Sequence, residues 1–261
     1  MSGWAFAGAA AAAAAGSTEG IGYFARFGVT EKMLRDGLGA ALSRGADYAD
    51  LFFQHRVSNG LGLEDGEVNR ASTSVELGVG VRAIKGDQTG YAYTEELTPE
   101  ALLLAAKTAA AIADGPATPA PKGLKVGGAL PARYPVKTRW EDVRPQQKLP
   151  LLSGLNEKVL AADRRIRKVN VSFGDEAGAI LIADSNGRIV EDLQPMTRLY
   201  LSCVAEQDGK KETNGYNVAG RADIGFYSPE KLDRMVKEAV SRTLVLFDAV
   251  QPPAGEMPVV L

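Results

Sequence analysis

Four turn signals set into alternating segments constrain this chain more than anything else. Asp65-Gly66, Gly86-Asp87, Asp184-Ser-Asn-Gly187 and Asp208-Gly209 each interrupt a run of apolar and polar alternation. Such pairs supply the φ > 0 positions that tight hairpins require, and strands joined by so few residues can pair only in antiparallel fashion. The chain is therefore expected to build antiparallel meanders. In the first half, residues 50–57 and 60–64 read as extended, the turn at Asp65-Gly66 returns through Val68 and Ala71, residues 75–84 alternate, and 89–93 come back after Gly86-Asp87. In the second half the expected strands are 169–174, 179–183, 188–191 and 199–206, with a last one from Lys211 onward.

Helices bracket both sets of strands. Thr30 can cap a helix that places Met33, Leu34, Leu38 and Leu42 on one face and ends at Gly45. Thr98-Pro99-Glu100 and Ser228-Pro229-Glu230 are helix starts of one kind: a capping hydroxyl, a proline whose missing N–H costs nothing in the first turn, and an acid against the positive dipole end. The first opens a buried helix to Ile112; the second carries a stripe through Leu232, Met235, Val236, Ala239, Val240 and Leu244. A further helix is expected over residues 145–163, with Leu149, Leu152, Leu155, Val159 and Leu160 inward. Gly115-Pro-Ala-Thr-Pro-Ala-Pro121 resists both helix and sheet and marks a boundary. The fold class is thus α+β, two consecutive modules, each an antiparallel or mixed sheet packed with helices. The expected division is 1–28 a disordered leader or appended tail, 29–115 the first module, 116–121 a Pro-rich connector, 122–250 the second module, and 251–261 the first strand of a further domain. That last assignment rests on the apolar, β-branched run Met257 to Leu261, which no turn signal closes.

Charge and cysteine usage exclude several classes. Thirty basic against thirty-two acidic residues leave a net charge of −2, with no block of like charge to attract a phosphate backbone, so nucleic acid is not an expected partner. The densest basic stretch, Arg164 to Lys168, falls where a helix should end and offsets the dipole there. No segment approaches the roughly 20 apolar residues needed to span a bilayer, and the alanine run Ala9–Ala15 lacks the positive start of a secretory signal. The single Cys203 forbids an internal disulfide and fits a reducing cytosol, which makes the cytoplasm the expected compartment.

Candidate chemistry is sparse. His55 is the only imidazole and shares a strand face with Phe53, a core-edge position; one His and one Cys are too few donors for a protein zinc site. Ser228 and Lys231 have the Ser-x-x-Lys spacing of acyl-enzymes, yet the same serine is placed to cap a helix. Gly78-Val-Gly80 lies in a strand where glycine permits close backbone approach, with Ala83 where a nucleotide fingerprint would need its third glycine. Asp184-Ser-Asn186 begins like a calcium loop but continues into Arg188 and Ile189. Glu64, Asp65 and Glu67 read as solvated turn acids. No catalytic, cofactor-binding or metal-ligating residue is assigned.

Taken in order, Tyr48-Ala-Asp-Leu-Phe-Phe-Gln54, Leu63-Glu-Asp-Gly66, Gly78-Val-Gly-Val-Arg-Ala-Ile-Lys85 and Thr89-Gly-Tyr-Ala-Tyr93 closely resemble the amino-terminal domain of the TldD branch of the TldD/PmbA metallopeptidases. Ala183-Asp184, Arg198-Leu199, Glu206-Gln207-Asp208-Gly209-Lys210 and Pro253-Ala-Gly-Glu-Met-Pro-Val-Val-Leu261 extend the likeness over roughly residues 27–261. The resemblance implies a zinc-dependent cytosolic peptidase, linked to microcin maturation and antitoxin turnover, that forms a heterodimer with a PmbA-type partner or pairs with a second TldD copy. Its zinc motif, His-Glu-x-x-x-His, belongs to a helix just beyond the strand expected at 257–261, so none of its residues has a counterpart here. The chain is accordingly expected to hold no cofactor itself, with zinc in the complete enzyme, and to be inactive alone. It would frame the cleft for an extended peptide, gripped along a sheet edge, and help bury the partner subunit. The alternative is a free-standing scaffold or regulatory protein that keeps the assembly surface without peptidase activity.

Overall fold

The computed structural model describes residues 21–114, 123–126, 134–250 and 254–258. The Pro-rich connector, most of the leader and Val259 to Leu261 lie outside them; Met257 and Pro258, the described part of the expected last strand, carry no strand pairing. In chain order the elements are α1 (Glu31–Leu42), β1 (Tyr48–Glu64), β2 (Glu67–Lys85), β3 (Gln88–Thr94), α2 (Pro99–Ile112), β4 (Lys125–Val126), α3 (Pro145–Ala162), β5 (Ile166–Asp184), β6 (Arg188–Gln207), β7 (Lys210–Gly220) and α4 (Pro229–Leu244), with short 3-10 turns between several of them. The class is α+β. The expected caps form: Thr30 Oγ1 accepts from Met33 N, Thr98 Oγ1 from Ala101 N and Ser228 Oγ from Lys231 N. The Asp-Gly hairpins have φ of 50° and 87° at Asp65-Gly66 and 51° and 78° at Asp208-Gly209, the left-handed pair that a two-residue turn needs.

The strands of both halves belong to one sheet, ordered β3-β2-β1-β5-β6-β4, with β7 also on β6. Its central ladder is β1 against β5, running from Asp50↔Asp184 to Glu64↔Asn170 without a register shift. Segments expected as separate strands, 50–57 and 60–64, 169–174 and 179–183, 188–191 and 199–206, are in each case one continuous strand. The small and polar residues at their midpoints, such as Ser58-Asn59-Gly60, resemble loop composition, but they are paired on both sides.

Side-chain parity explains why. Odd-numbered residues of β1, β6 and, from Val169 onward, β5 face the helices, and they feed two cores in series along the same strands; Ile166 joins the second core from an even position, ahead of a register shift. The first core joins Leu51, Phe53, Leu181 and Ala183 to α1 and α2 through Leu34, Leu38 and Leu102. The second joins Leu61, Phe173, Leu199 and Leu201 to α3 and α4 through Leu152, Leu155 and Met235. Each such fully buried side chain contributes roughly 1.5–3 kcal/mol. Between the cores, residues 54–60 of β1 are half-buried, so the apolar alternation fades there. On α3, Leu149 and Leu160 sit at the margin, and Lys148 and Asn156 are buried instead.

The folded chain begins before residue 29, contrary to the expected leader of 1–28. Ile21 and Phe24 are buried in the first core, and the carboxylate of Glu191 accepts hydrogen bonds from the backbone N–H groups of Gly22, Tyr23 and Phe24. The anchor lies in β6, which is why local composition did not signal it. The basic stretch also differs from its dipole reading: α3 ends before Arg164, and the Arg165 guanidinium donates to Asp163 and to Gln207 of β6.

Close packing leads to a first prediction. A Cβ on Gly90 would clash with the carbonyl oxygen of Ala109 in α2. Backbone on backbone cannot yield, so Gly90→Ala should destabilise by about 2 kcal/mol or more in urea unfolding, while the same change at Gly154, with open space around it, should cost nothing comparable. A second prediction concerns acid. Hydrogen bonds from Arg165, first its side chain and then its backbone N–H, hold the Asp163 carboxyl down from 3.8 to about 2. A depressed carboxylate stabilises above its unfolded value and loses that contribution as pH falls towards the folded one. Arg165→Met should therefore flatten the acid limb of the stability curve between pH 3.8 and about 2, measured by thermal melts across that window.

Candidate functional site

Where one core gives way to the next, a polar seam crosses the helix-covered face. Lys148 of α3 and Asp175 of β5 form an ion pair of 2.5 Å, with side chains 3% and 0% exposed. The other Asp175 oxygen accepts from Asn59 Nδ2 of β1 at 2.9 Å, and Asn59 Oδ1 accepts from Thr73 Oγ1 of β2 at 2.9 Å. The Lys148 ammonium lies 5.7 Å from the Trp140 ring centre and 5.8 Å from that of Phe173, close enough for cation–π attraction. A cleft of about 620 Å³ opens over this chain of groups, walled by Val57 and Leu61 of β1, Ala71 and Thr73 of β2, Trp140 and Val143, with Lys148 also on its surface. Nothing in the sequence signals this site: Lys148 sits in an amphipathic helix like any solvated lysine, and its partners are distant along the chain.

A second group lies beside it. Tyr23 Oη bonds His55 Nδ1 at 2.7 Å and donates to Glu141 Oε1 at 3.3 Å, and the His55 ring packs on Phe27 with centroids 4.9 Å apart. Burial pushes the His55 pKa down against the pull of Glu141. The imidazole is the core-edge residue expected, tying the turn that follows Tyr23 to β1.

The remaining candidates resolve into structure. Cys203 is fully buried, its Sγ 3.2 Å from Thr243 Oγ1, and burial pushes its pKa up. Ser228 caps α4, while the Lys231 ammonium rests 3.1 Å from the centre of the Phe226 ring, an arrangement for packing rather than acyl transfer. Gly78 and Gly80 lie inside β2; a Cβ on Gly78 would stand 2.9 Å from the carbonyl oxygen of Thr94. The Asp184 carboxylate turns inward to accept from the N–H of Asn186 and Arg188 and from the Arg188 guanidinium, donors from the chain itself that close the turn. Of the turn acids, Glu64 accepts from Asn69, and Asp65 accepts from the backbone of Val169 instead of being merely solvated.

These residues do not fit a zinc ion. Among the described residues no three His, Cys, Asp or Glu side chains converge. His55 is committed to Tyr23 and Cys203 is enclosed in the second core. Among the same residues, no helix is long and apolar enough to cross a membrane.

The ion pair supplies a third prediction. Removing one partner of a buried pair strands the other charge at a cost of about 3–5 kcal/mol, whereas replacing both with apolar groups is often neutral. Lys148→Met should therefore destabilise strongly in chemical denaturation, and the double change Lys148→Met with Asp175→Leu should recover much of the loss. Equal or additive losses would contradict the pairing.

Comparison with known proteins agrees with this architecture. Residues 49–113 match the PmbA/TldA metallopeptidase domain 1, and residues 138–247 match the PmbA/TldA metallopeptidase central domain. The chain is 33% identical over 226 residues to a protein named metalloprotease TldD homolog from Haemophilus influenzae, covering 84% of this chain and 46% of that one. A protein of the same name from Buchnera aphidicola is 28% identical, with 84% and 47% covered. The chain thus spans about half the length of these relatives. Among solved structures, TldE from Thermococcus kodakarensis superposes with a TM-score of 0.61 at 18% identity over 82% of this chain and 47% of that one. A Bacteroides thetaiotaomicron protein named for modulation of a DNA gyrase gives 0.63, also at 18% identity, with 82% and 49% covered; at such identity both likenesses speak of the fold alone. By its two domain matches and its identity to the Haemophilus influenzae relative, this chain belongs to the TldD/PmbA metallopeptidase family.

Proposed function

We propose that this chain is the amino-terminal, non-catalytic region of a TldD-like zinc metallopeptidase of the cytoplasm. In that reading it frames the cleft for an extended peptide and contributes to the interface with a PmbA-type partner subunit or a second TldD copy. It does not hydrolyse peptides without a zinc-bearing domain. The observation that carries the reading is the pairing of two facts: the chain aligns with about half of relatives named metalloproteases, and the aligned half brings no convergent metal ligands among its described residues. Membership of a family whose two matched domain models carry both names, PmbA and TldA, supports a partner from the same family. Its own residues would contribute backbone edges and a rigid cleft, while a bound zinc in the remaining domain would supply Lewis-acid activation.

The test uses this chain alone and fused to the carboxy-terminal half of the Haemophilus influenzae relative. Alone, it should show neither stoichiometric zinc nor peptide cleavage; fused, it should gain zinc and cleavage that a chelator abolishes. Tight zinc and chelator-sensitive cleavage by the chain alone would overturn the proposal. Peptide binding and cleavage by the carboxy-terminal half that are unchanged by this region would favour the scaffold alternative.

A further inference from the structure

We infer that the outer edge of β2 from Arg70 to Leu77 is a docking strand for an extended peptide, which seats an apolar side chain in the cleft over Lys148. This deepens the cleft role proposed above and rests on it.

Pairing identifies the edge. Residues 79–85 of β2 pair with β3, but residues 67–78 have only β1 beside them among the described residues. Their other flank therefore presents unpaired N–H and C=O groups, chemistry that an extended backbone satisfies. The chain of β3 departs at Thr94, whose carbonyl oxygen closes against Gly78, so the open stretch begins just past that contact and an added strand would lie roughly in line with β3.

The two long edges of the sheet are treated differently. Natural proteins guard free edges with lysine, proline, bulges or a covering element. At β7 the strand opens with Lys210-Lys211, α4 packs against it, Asn214 Nδ2 donates to the Arg242 carbonyl, and the Arg242 guanidinium lies 4.7 Å from the Tyr216 ring centre. From Arg70 to Gly78, β2 has neither lysine nor proline, and its only register shift precedes Arg70. Five consecutive residues, Ala71, Ser72, Thr73, Ser74 and Val75, are small or β-branched, with the charged Arg70 and Glu76 at either end. An edge so exposed, with its charges confined to Arg70 and Glu76, is suited to accept a strand.

Side chains add selectivity to backbone grip. On the helix-covered face, Ala71 and Thr73 of the edge also line the cleft beside Val57, Leu61, Trp140 and Val143. A side chain from an added strand on that face enters a mainly apolar lining, to which the exposed Glu141 and Arg144 also contribute, while Thr73 is held in place through Asn59, Asp175 and Lys148. The occupant is an extended segment with an aliphatic residue at an alternate position and no need for charge.

The experiment measures anisotropy of a labelled, unstructured ten-residue peptide of alternating valine and serine with the full chain. Three further probes are the same peptide N-methylated on one alternate set of backbone nitrogens, on the other set, and with the valines replaced by aspartate. Strand addition predicts saturable binding that one methylated set weakens by at least about tenfold while the other is tolerated, because alternate N–H groups point to opposite flanks. Aspartate should weaken it as well, and Ala71→Trp, at an exposed position that can fill the cleft, should abolish the preference for valine. If that variant does not fold by circular dichroism, the methylated probes on the unaltered chain decide alone. Binding indifferent to which set is methylated would overturn the edge assignment and leave the cleft role standing. Absence of binding by the full chain would sink both. Self-association that the peptide fails to reverse would give the edge to a second copy, and would likewise overturn the inference.

Discussion

The ladder between β1 and β5 couples two cores that have no buried residue in common. It runs through both without a register shift, from Asp50↔Asp184 beside the first core to Glu64↔Asn170 beside the second. A slip of one residue would turn Leu51, Phe53, Leu61 and Leu63 away from the helices together. The four helices of the described residues thus report on a single register, and each core fixes the pairing on which the other depends. This also makes the two matched family domains, 49–113 and 138–247, halves of one sheet in this chain.

The buried ion pair follows from that geometry. A strand that serves two helix layers in turn has a stretch that neither layer covers fully, and β1 is half-buried over residues 54–60. Apolar side chains at Asn59 and Thr73 would be left part-exposed; a hydrogen-bonded chain runs instead from these two to the buried Asp175 and Lys148, spanning β2, β1, β5 and α3. Its energetic value is small against an apolar substitute, because desolvation offsets most of the attraction. Its directionality is what an apolar pair lacks: only one placement of α3 satisfies it.

Local signals made the helices and hairpins legible. Thr30, Thr98 and Ser228 with their following prolines or acids announced helix starts that the caps realise, and Asp65-Gly66 and Asp208-Gly209 announced turns whose backbone angles require such residues. Strand length was not legible, since glycine, serine and asparagine near residues 58–62 look like loop when one of the two strands that hold them is more than a hundred residues away. The docking of residues 21–28 failed for the same reason: Glu191 reads as one acid among thirty-two until the fold carries it to three backbone N–H groups. The seam was illegible because a buried lysine on α3 is indistinguishable, by helical period, from a solvated one. The solitary His55 and Cys203 are legible as a ligand count, which is a property of composition, but their placement against Tyr23 and Thr243 is not.

What such a region can offer a peptidase is decided by the same contrast. With its only imidazole tied to Tyr23 and its only thiol enclosed, neither of these side chains is free, and in the role proposed here recognition would fall to backbone groups and shape. Backbone pairing tolerates sequence, because every residue but proline brings the same donor and acceptor. Discrimination then comes from whatever pocket the added strand passes, and here that pocket is the gap between two cores, its floor fixed by the ion pair that holds α3 in place. The feature that stabilises the junction of the cores and the feature that would select a side chain are therefore one, so changes at Lys148 or Asp175 should not separate stability from recognition, whereas changes at exposed Ala71 can.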